Sequence, residues 1–197
     1  MTNNDTARWH RQICWVNEQL ALSGDLPADE GAAARKLDEW QRSGITHVMD
    51  TRGEWNDEDF VARVAPEIGY SWLGTHDNGG EQGDEWFDAG VTAARYVEMT
   101  PGSRLLVHCH MGVNRGPSMG LRILLDRGWD ITEAIDHIRS ARPIEAVAYA
   151  EDALDHHHRR SDKPDHKRRD DRRRLAEWRR THPLDVVHVI RSIRLAG

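Results

Sequence analysis

The stretch that most constrains this chain of 197 residues is HCHMGVNRGPS, from His108 to Ser118. It follows a short apolar run, Arg104-Leu105-Leu106-Val107, which predicts a buried strand. It precedes a helical pattern from Met119 to Arg127. A strand, a tight loop and a helix N-terminus in that order make an anion site. The loop amides and the first helical turn point inward, and the helix dipole adds positive potential. Gly112 permits backbone angles that other residues avoid. Pro117 falls in the first helical turn, where its missing N–H costs nothing. Arg115 can fork two N–H bonds onto two oxygens of a phosphate. The same field favours the thiolate of Cys109, and a thiolate beneath a phosphate is a nucleophile aimed at phosphorus. A buried structural cysteine beside a surface arginine is the plainer alternative. It does not account for His, Cys, Gly and Arg in register at one strand-to-helix junction.

An HC-x5-R segment after an apolar strand resembles the signature of the cysteine-based protein tyrosine phosphatase superfamily. Within it, the chain looks most like the compact dual-specificity phosphatases, over approximately Ile13 to Ala153. The resemblance implies that Cys109 attacks phosphorus. It implies that Arg115 and the amides of His110, Met111, Gly112, Val113, Asn114 and Arg115 hold the phosphate oxygens. His108 is expected to bond within the loop and help hold the thiolate, with His110 and Asn114 at the pocket rim. A general-acid aspartate is expected on a mobile loop. Asp77 fits best, just past the strand ending at Thr75 and 32 positions before Cys109. Asp84 and Asp88 are its rivals, and Asp77 also reads as a plain turn-former before Asn78-Gly79-Gly80. One position departs from the family. The residue after the arginine is usually Ser or Thr, whose hydroxyl bonds the leaving thiolate. Here it is Gly116, with Ser118 two places on as a substitute.

The implied activity is hydrolysis of protein phosphotyrosine, and of phosphoserine or phosphothreonine, through a cysteinyl-phosphate and without a metal or organic cofactor. The implied partner is a phosphorylated protein. A metal site at His108, Cys109 and His110 is disfavoured, because a strand sends alternate side chains to opposite faces and no second ligand pair has zinc-finger spacing. Phosphoinositide phosphatases of the superfamily often carry Lys inside the loop, and this loop has none. RNA 5′-triphosphatases share Gly-x-Asn-Arg, seen here as Gly112-Val113-Asn114-Arg115, but commonly lack the acid. A phosphate-binding adaptor without turnover is the rival from another class, with Gly116 as its hint.

The rest of the chain predicts strands at residues 13–16, 20–23, 45–51 and 70–75. Helices are expected at 29–42, 86–99, 131–141 and 145–158, with a short one near 55–64. Strands separated by helical stretches imply an α/β fold with a central, mostly parallel sheet flanked by helices. The acidic body at 1–158 is read as the phosphatase domain and 159–197 as a basic, charged helical C-terminal extension. From Arg159 onward there are 13 Lys/Arg against 6 Asp/Glu, whereas the first 158 residues hold 14 against 27. The extension admits a phosphate-rich partner such as RNA, but a solvated charged helix is the favoured reading. Val186, Val189, Ile190 and Ile193 predict a terminal amphipathic helix that docks on the body or on another copy. His156-His157-His158 is expected to end a helix, where positive charge is welcome, and is assigned no metal. Cys14 and Cys109 make no disulfide framework. Together with the lack of a signal peptide or an apolar run near ~20 residues, this points to the cytoplasm.

Overall fold

The computed structural model describes residues 6–196. A five-stranded sheet runs in the order β1-β2-β5-β3-β4, formed by β1 (Cys14–Trp15), β2 (Leu20–Ser23), β3 (His47–Arg52), β4 (Gly69–Thr75) and β5 (Leu105–His108). Only the β1–β2 pairing is antiparallel, so the sheet is mostly parallel, as expected. β5 is central. His108 lies opposite Ser23 of β2 and Asp50 of β3. The residue that ends β5 is therefore held from both sides, and the next residue is Cys109. Ligands of such sheets bind beyond the carboxyl ends of the strands.

Helices cover both faces. On one lie α1 (Glu30–Arg42) and α2 (Glu58–Val64), whose Leu37, Trp40 and Val61 pack on Ala21, Val48 and Leu106. Asp29 caps α1 by accepting the Ala32 N–H at 2.8 Å. On the other face lie α3 (Asp84–Glu98), α4 (Arg115–Asp126), α5 (Ile131–Ala141) and α6 (Ala150–Arg159). α4 is the hub: every residue from Arg115 to Leu125 is buried. Burial all round is what keeps a helix start, and the loop before it, in one place. α4 begins at Arg115, earlier than the apolar periodicity suggested, because the loop's own backbone feeds the first turn.

α6 begins five residues later than predicted. Residues 143–149 turn back to the loop instead, and the amides of Ala146 and Val147 both donate to the Val113 carbonyl, at 3.0 and 3.2 Å. Val147 takes φ +48°, a left-handed conformation costly for a β-branched residue. It is fully buried, and its packing with those two bonds holds it there.

Two further helices, α7 (Asp165–Thr181) and α8 (Val186–Ala196), follow. Leu175 and Trp178 of α7 join the same core as α4 and α5. Val189 and Ile193 of α8 pack on Val113 of the loop and on Ile144. The division at 158/159 falls one residue before the end of α6, and the segment after it shares packing with the body. The arginines of α7 are not simply solvated: Arg174 pairs with Asp130 at 2.6 Å, Arg172 with Asp155 at 2.7 Å and Arg179 with Glu151 at 2.5 Å. His156 and His158 are buried rather than free to charge. Burial also pushes the His157 imidazole down to about 4, which corrects the expectation of a charged helix end. No helix among the described residues is long and apolar enough to cross a membrane.

Candidate active site

The loop from Cys109 to Asn114 joins β5 to α4 and forms the floor of a cleft of about 370 Å³. Its shape rests on two residues. Gly112 sits at φ +66°, and a Cβ there would lie 2.6 Å from the Ser23 carbonyl oxygen and 2.4 Å from the Arg142 guanidinium. Arg142 is fully buried and clamps the loop from below. It donates to the carbonyls of Gly112 (2.9 Å) and Met111 (3.1 Å), and on its other side to those of His10 (2.9 Å) and Gln12 (3.2 Å). With the carbonyls turned outward, the amides turn in. Among the described residues, no amide from His110 to Arg115 donates to a protein acceptor. Six consecutive N–H groups without a protein acceptor, at the loop before a helix, make an anion nest.

Arg115 is the first residue of α4 and is 2% exposed. Its Nη1 and Nη2 grip both oxygens of Glu54, at 2.7 and 2.9 Å, and Nη1 also donates to the Thr75 carbonyl at 2.8 Å. Its buried Nε has no hydrogen-bond partner. Glu54 therefore anchors one edge of the guanidinium and leaves the Nε edge for an anion in the nest. Burial opposes the cation, but the Glu54 bonds, Cys109 and the nearby carboxylates outweigh it and raise its pKa.

Asp77 lines the same cleft as Cys109. Its Oδ1 accepts the Tyr149 hydroxyl at 2.6 Å, its Oδ2 accepts the Asn114 amide at 3.3 Å, and Oδ2 lies 3.8 Å from Arg115 Nε. The rival carboxylates lie elsewhere. Asp84 pairs with Arg159, and Asp88 with Arg160 and with His156 at 3.0 Å. The Arg160 hydrogen bond holds the Asp88 carboxyl at about 2, against the opposing effect of desolvation.

His108 departs from expectation. Strand alternation turns its ring away from the loop and into the sheet face, 5.7 Å from the Trp40 ring. Both ring nitrogens lack a hydrogen-bond partner, the nearest charge being Asp50 at 3.8 Å. Burial lowers its pKa, so the ring is neutral and makes no bond within the loop. Its carbonyl accepts the Thr51 hydroxyl at 2.7 Å, which ties the end of β5 to β3. His110 does reach the rim, where its Nδ1–H donates to Asp25 at 2.6 Å. Burial pushes the Asp25 carboxyl up, but hydrogen bonds from His10 and His110 prevail and hold it below the usual range. Ser118 is buried and its Oγ accepts the Tyr149 N–H at 3.2 Å. A Cβ on Gly116 would sit 3.2 Å from the His108 carbonyl carbon and 3.3 Å from the Cys109 nitrogen. The second cysteine, Cys14, is buried, and burial raises its thiol pKa, so it is a poor nucleophile. Among the described residues no cluster of His, Cys, Asp and Glu has the form of a metal site.

Sequence reasoning missed Glu54, Tyr149, Ile190 and Arg194, which line the cleft, and Arg142, which holds the loop from below. None stands at a motif spacing from Cys109. Only the Arg142-Pro143 helix stop marks its position in any way.

No protein-family model matches this chain. Rat dual specificity protein phosphatase 26 is 34% identical over 115 residues, which are 54% of this chain and 51% of that protein. Human dual specificity protein phosphatase 13B is 27% identical over 143 residues, 69% of this chain and 70% of that protein. Over these spans the chain is similar to dual-specificity protein phosphatases. The chain spans only a fraction of the length of several of the curated relatives it matches. Mouse protein phosphatase Slingshot homolog 3 matches at 26% identity over 56% of this chain, but over only 16% of its own length. Solved dual-specificity and tyrosine phosphatases share the fold. Tk-PTP in its active form superposes with a TM-score of 0.61 at 18% identity, covering 76% of this chain and 97% of its own. Human DUSP28 gives 0.59 at 18%, covering 74% and 93%.

Proposed function

We propose that this chain hydrolyses phosphate monoesters on proteins, phosphotyrosine first and phosphoserine or phosphothreonine in addition, through a cysteinyl-phosphate. The observation that carries the reading is the nest: six unpaired amides and the free Nε edge of Arg115 around the cleft that holds Cys109. Such donors follow three equatorial oxygens into a trigonal transition state better than they hold a tetrahedral ground state.

In the first step the Cys109 thiolate forms an S–P bond while the bond from phosphorus to the leaving oxygen breaks. The departing electron pair takes the proton of Asp77. In the second step Asp77, now a carboxylate, accepts a proton from water. The water oxygen attacks phosphorus, the S–P bond breaks, and inorganic phosphate and the thiolate are released. Glu54 holds the guanidinium through both steps. Asp77 in the cleft favours monoester hydrolysis over the acid-free triphosphatase reading, and the relatives named as protein phosphatases favour a phosphoprotein over a lipid.

The test is Cys109→Ser in the full chain. Turnover of an aryl phosphate should vanish while phosphate binding persists, and acid-quenched wild type should trap phosphate on Cys109. Wild-type-like turnover in the variant would overturn the mechanism. A panel of phosphopeptides, phosphoinositides and triphosphorylated RNA then ranks the substrate classes.

A further inference from the structure

α8 does more than close the core. On this helix Val189 and Ile193, four residues apart, pack beneath the loop against Val113 and Ile144. Ile190 and Arg194, also four apart, form the adjacent stripe and line the cleft beside Cys109. Arg191, Arg194 and Leu195 are exposed, and of these Arg194 lines the cleft. The helix is thus keyed to the loop through one face and presents one apolar and one cationic side chain to the cleft.

Among the cations of the C-terminal segment, Arg194 lines the cleft that holds Cys109. Arg159, Arg160, Arg172, Arg173, Arg174, Arg179 and Arg180 are all spent on carboxylates. Arg194 has no carboxylate partner among the described residues. The acids of the cleft are engaged elsewhere: Glu54 with Arg115, Asp77 with Tyr149 and Asn114. An unpaired arginine therefore shares the cleft with a phosphate nest, in a body that is otherwise acidic.

We infer that Arg194 binds a second anionic group of the substrate, a carboxylate or phosphate on a residue flanking the phosphorylated one, with Ile190 packing on the intervening chain. The inference rests on the phosphoprotein reading above and adds a sequence preference to it. The apolar share of this wall, Ile190 with Val113, Met111 and Ala148, suits a peptide better than a polyhydroxylated headgroup. A guanidinium offers a planar fork to either anion.

The test reads affinity, so that it does not depend on turnover. Two phosphotyrosine peptides are compared on the Cys109→Ser full chain, one with neutral neighbours and one with a glutamate or second phosphorylated residue adjacent. The acidic peptide should bind about three- to tenfold more tightly, with the gain shrinking at high ionic strength. Adding Arg194→Ala should erase the gain and Arg194→Glu should reverse it. Arg191→Ala removes the same charge from the same helix outside the cleft and should leave the gain in place. If Arg194→Ala and Arg191→Ala weaken the gain equally, only general charge is at work and the inference fails. It also fails if the two peptides bind wild-type Arg194 alike, or if the gain appears only with bis-phosphorylated inositide vesicles. Absence of aryl phosphate turnover in the unmutated chain would refute the catalytic reading instead, while the binding ratio still decides this one.

Discussion

The hydroxyl of Tyr149 donates a 2.6 Å hydrogen bond to Oδ1 of Asp77. Burial and the Asp77 charge push the phenol up to about 12, so it remains a donor at every working pH. The same residue donates its backbone N–H to Ser118 on the first turns of α4. One residue thus ties the acid loop to the helix that carries Arg115. Oδ2, which accepts only the longer Asn114 bond at 3.3 Å and lies 3.8 Å from the Arg115 Nε, is the oxygen that the proposed mechanism has carry the proton.

That arrangement predicts a graded pair of variants. Asp77→Asn should lower kcat by about 10²- to 10⁴-fold for poor leaving groups and much less for activated aryl phosphates. Tyr149→Phe should lower it by roughly tenfold or less, the scale of one hydrogen bond to a charged group, with the same dependence on leaving group. Asp84→Asn should change little, because Asp84 is paired with Arg159 outside the cleft. A leaving-group series on the three variants checks this. A uniform loss across the series in Tyr149→Phe would mean that it supports the fold and not the acid.

The sequence displayed the floor of the site and hid its walls. Strand, loop and helix were legible because their chemistry is local: Cys109, Gly112 and Arg115 lie within seven consecutive positions. Asp77 was singled out by its place after a strand, and the structure brings it into the cleft with Cys109. Glu54, Arg142 and Tyr149 were not, since each meets its partner across at least 30 residues of chain, as Arg142 does with Gly112. His108 was misread by analogy although strand alternation already placed its ring on the far side from the loop. The C-terminal segment looked solvated because its acids and bases were counted within it. The carboxylate that neutralises Arg174 is Asp130, on the body.

Composition alone would make residues 159–197 dispensable toward a small aryl phosphate. The packing predicts otherwise. Leu175, Trp178, Val189 and Ile193 are each 5% exposed or less. At about 1.5–3 kcal/mol per buried large side chain, they contribute roughly 6–12 kcal/mol, comparable to the whole stability of a domain. A chain ending at residue 158 should therefore fail to fold cooperatively in thermal or urea melts. A chain ending at 182 keeps α7 and loses only α8. It should melt cooperatively at a lower temperature, with kcat/KM for an aryl phosphate reduced several-fold because Val113 loses its support. Unchanged melting and kinetics in the shorter truncation would show that α8 lies on the loop without stabilising it.

Acid should loosen the α6–α7 corner before the catalytic loop. His157 is held near 4 by burial, against 6.5 when exposed, and His156 and His158 shift in the same direction for the same first cause. Between those values the unfolded chain binds more protons than the folded one, so stability rises with pH. The contribution is complete above about 6.5 and lost as pH falls toward about 4. Melting temperature should thus drop across this window, and His157→Gln should flatten the drop. A flat profile in wild type would mean that the histidines titrate alike in both states.

The last expectation concerns Gly116. No hydroxyl follows Arg115, so the sulfur leaving in the second step lacks one donor. A hydrogen bond to a charged group is worth roughly 1.5–3 kcal/mol, and each ~1.4 kcal/mol is tenfold in rate. Hydrolysis of the cysteinyl-phosphate should therefore limit turnover, and an aryl phosphate should release a burst of phenol approaching one equivalent per site. The backbone geometry makes the repair testable. A Cβ at 116 points at the His108–Cys109 peptide at 3.2–3.3 Å, so a serine there crowds the backbone at the start of the loop, at the cost of a small shift. Gly116→Ala imposes the same crowding without the hydroxyl. Gly116→Ser should shrink the burst and raise the steady-state rate relative to Gly116→Ala, with melting temperatures reporting the shared strain. Ser118 is the rival source of the missing bond. Its Oγ accepts the Tyr149 amide and still has its own hydrogen to give. If wild type shows no burst and Ser118→Ala creates one, Ser118 supplies the bond. If neither shows a burst and Gly116→Ser matches Gly116→Ala, the second step is not limited at this position.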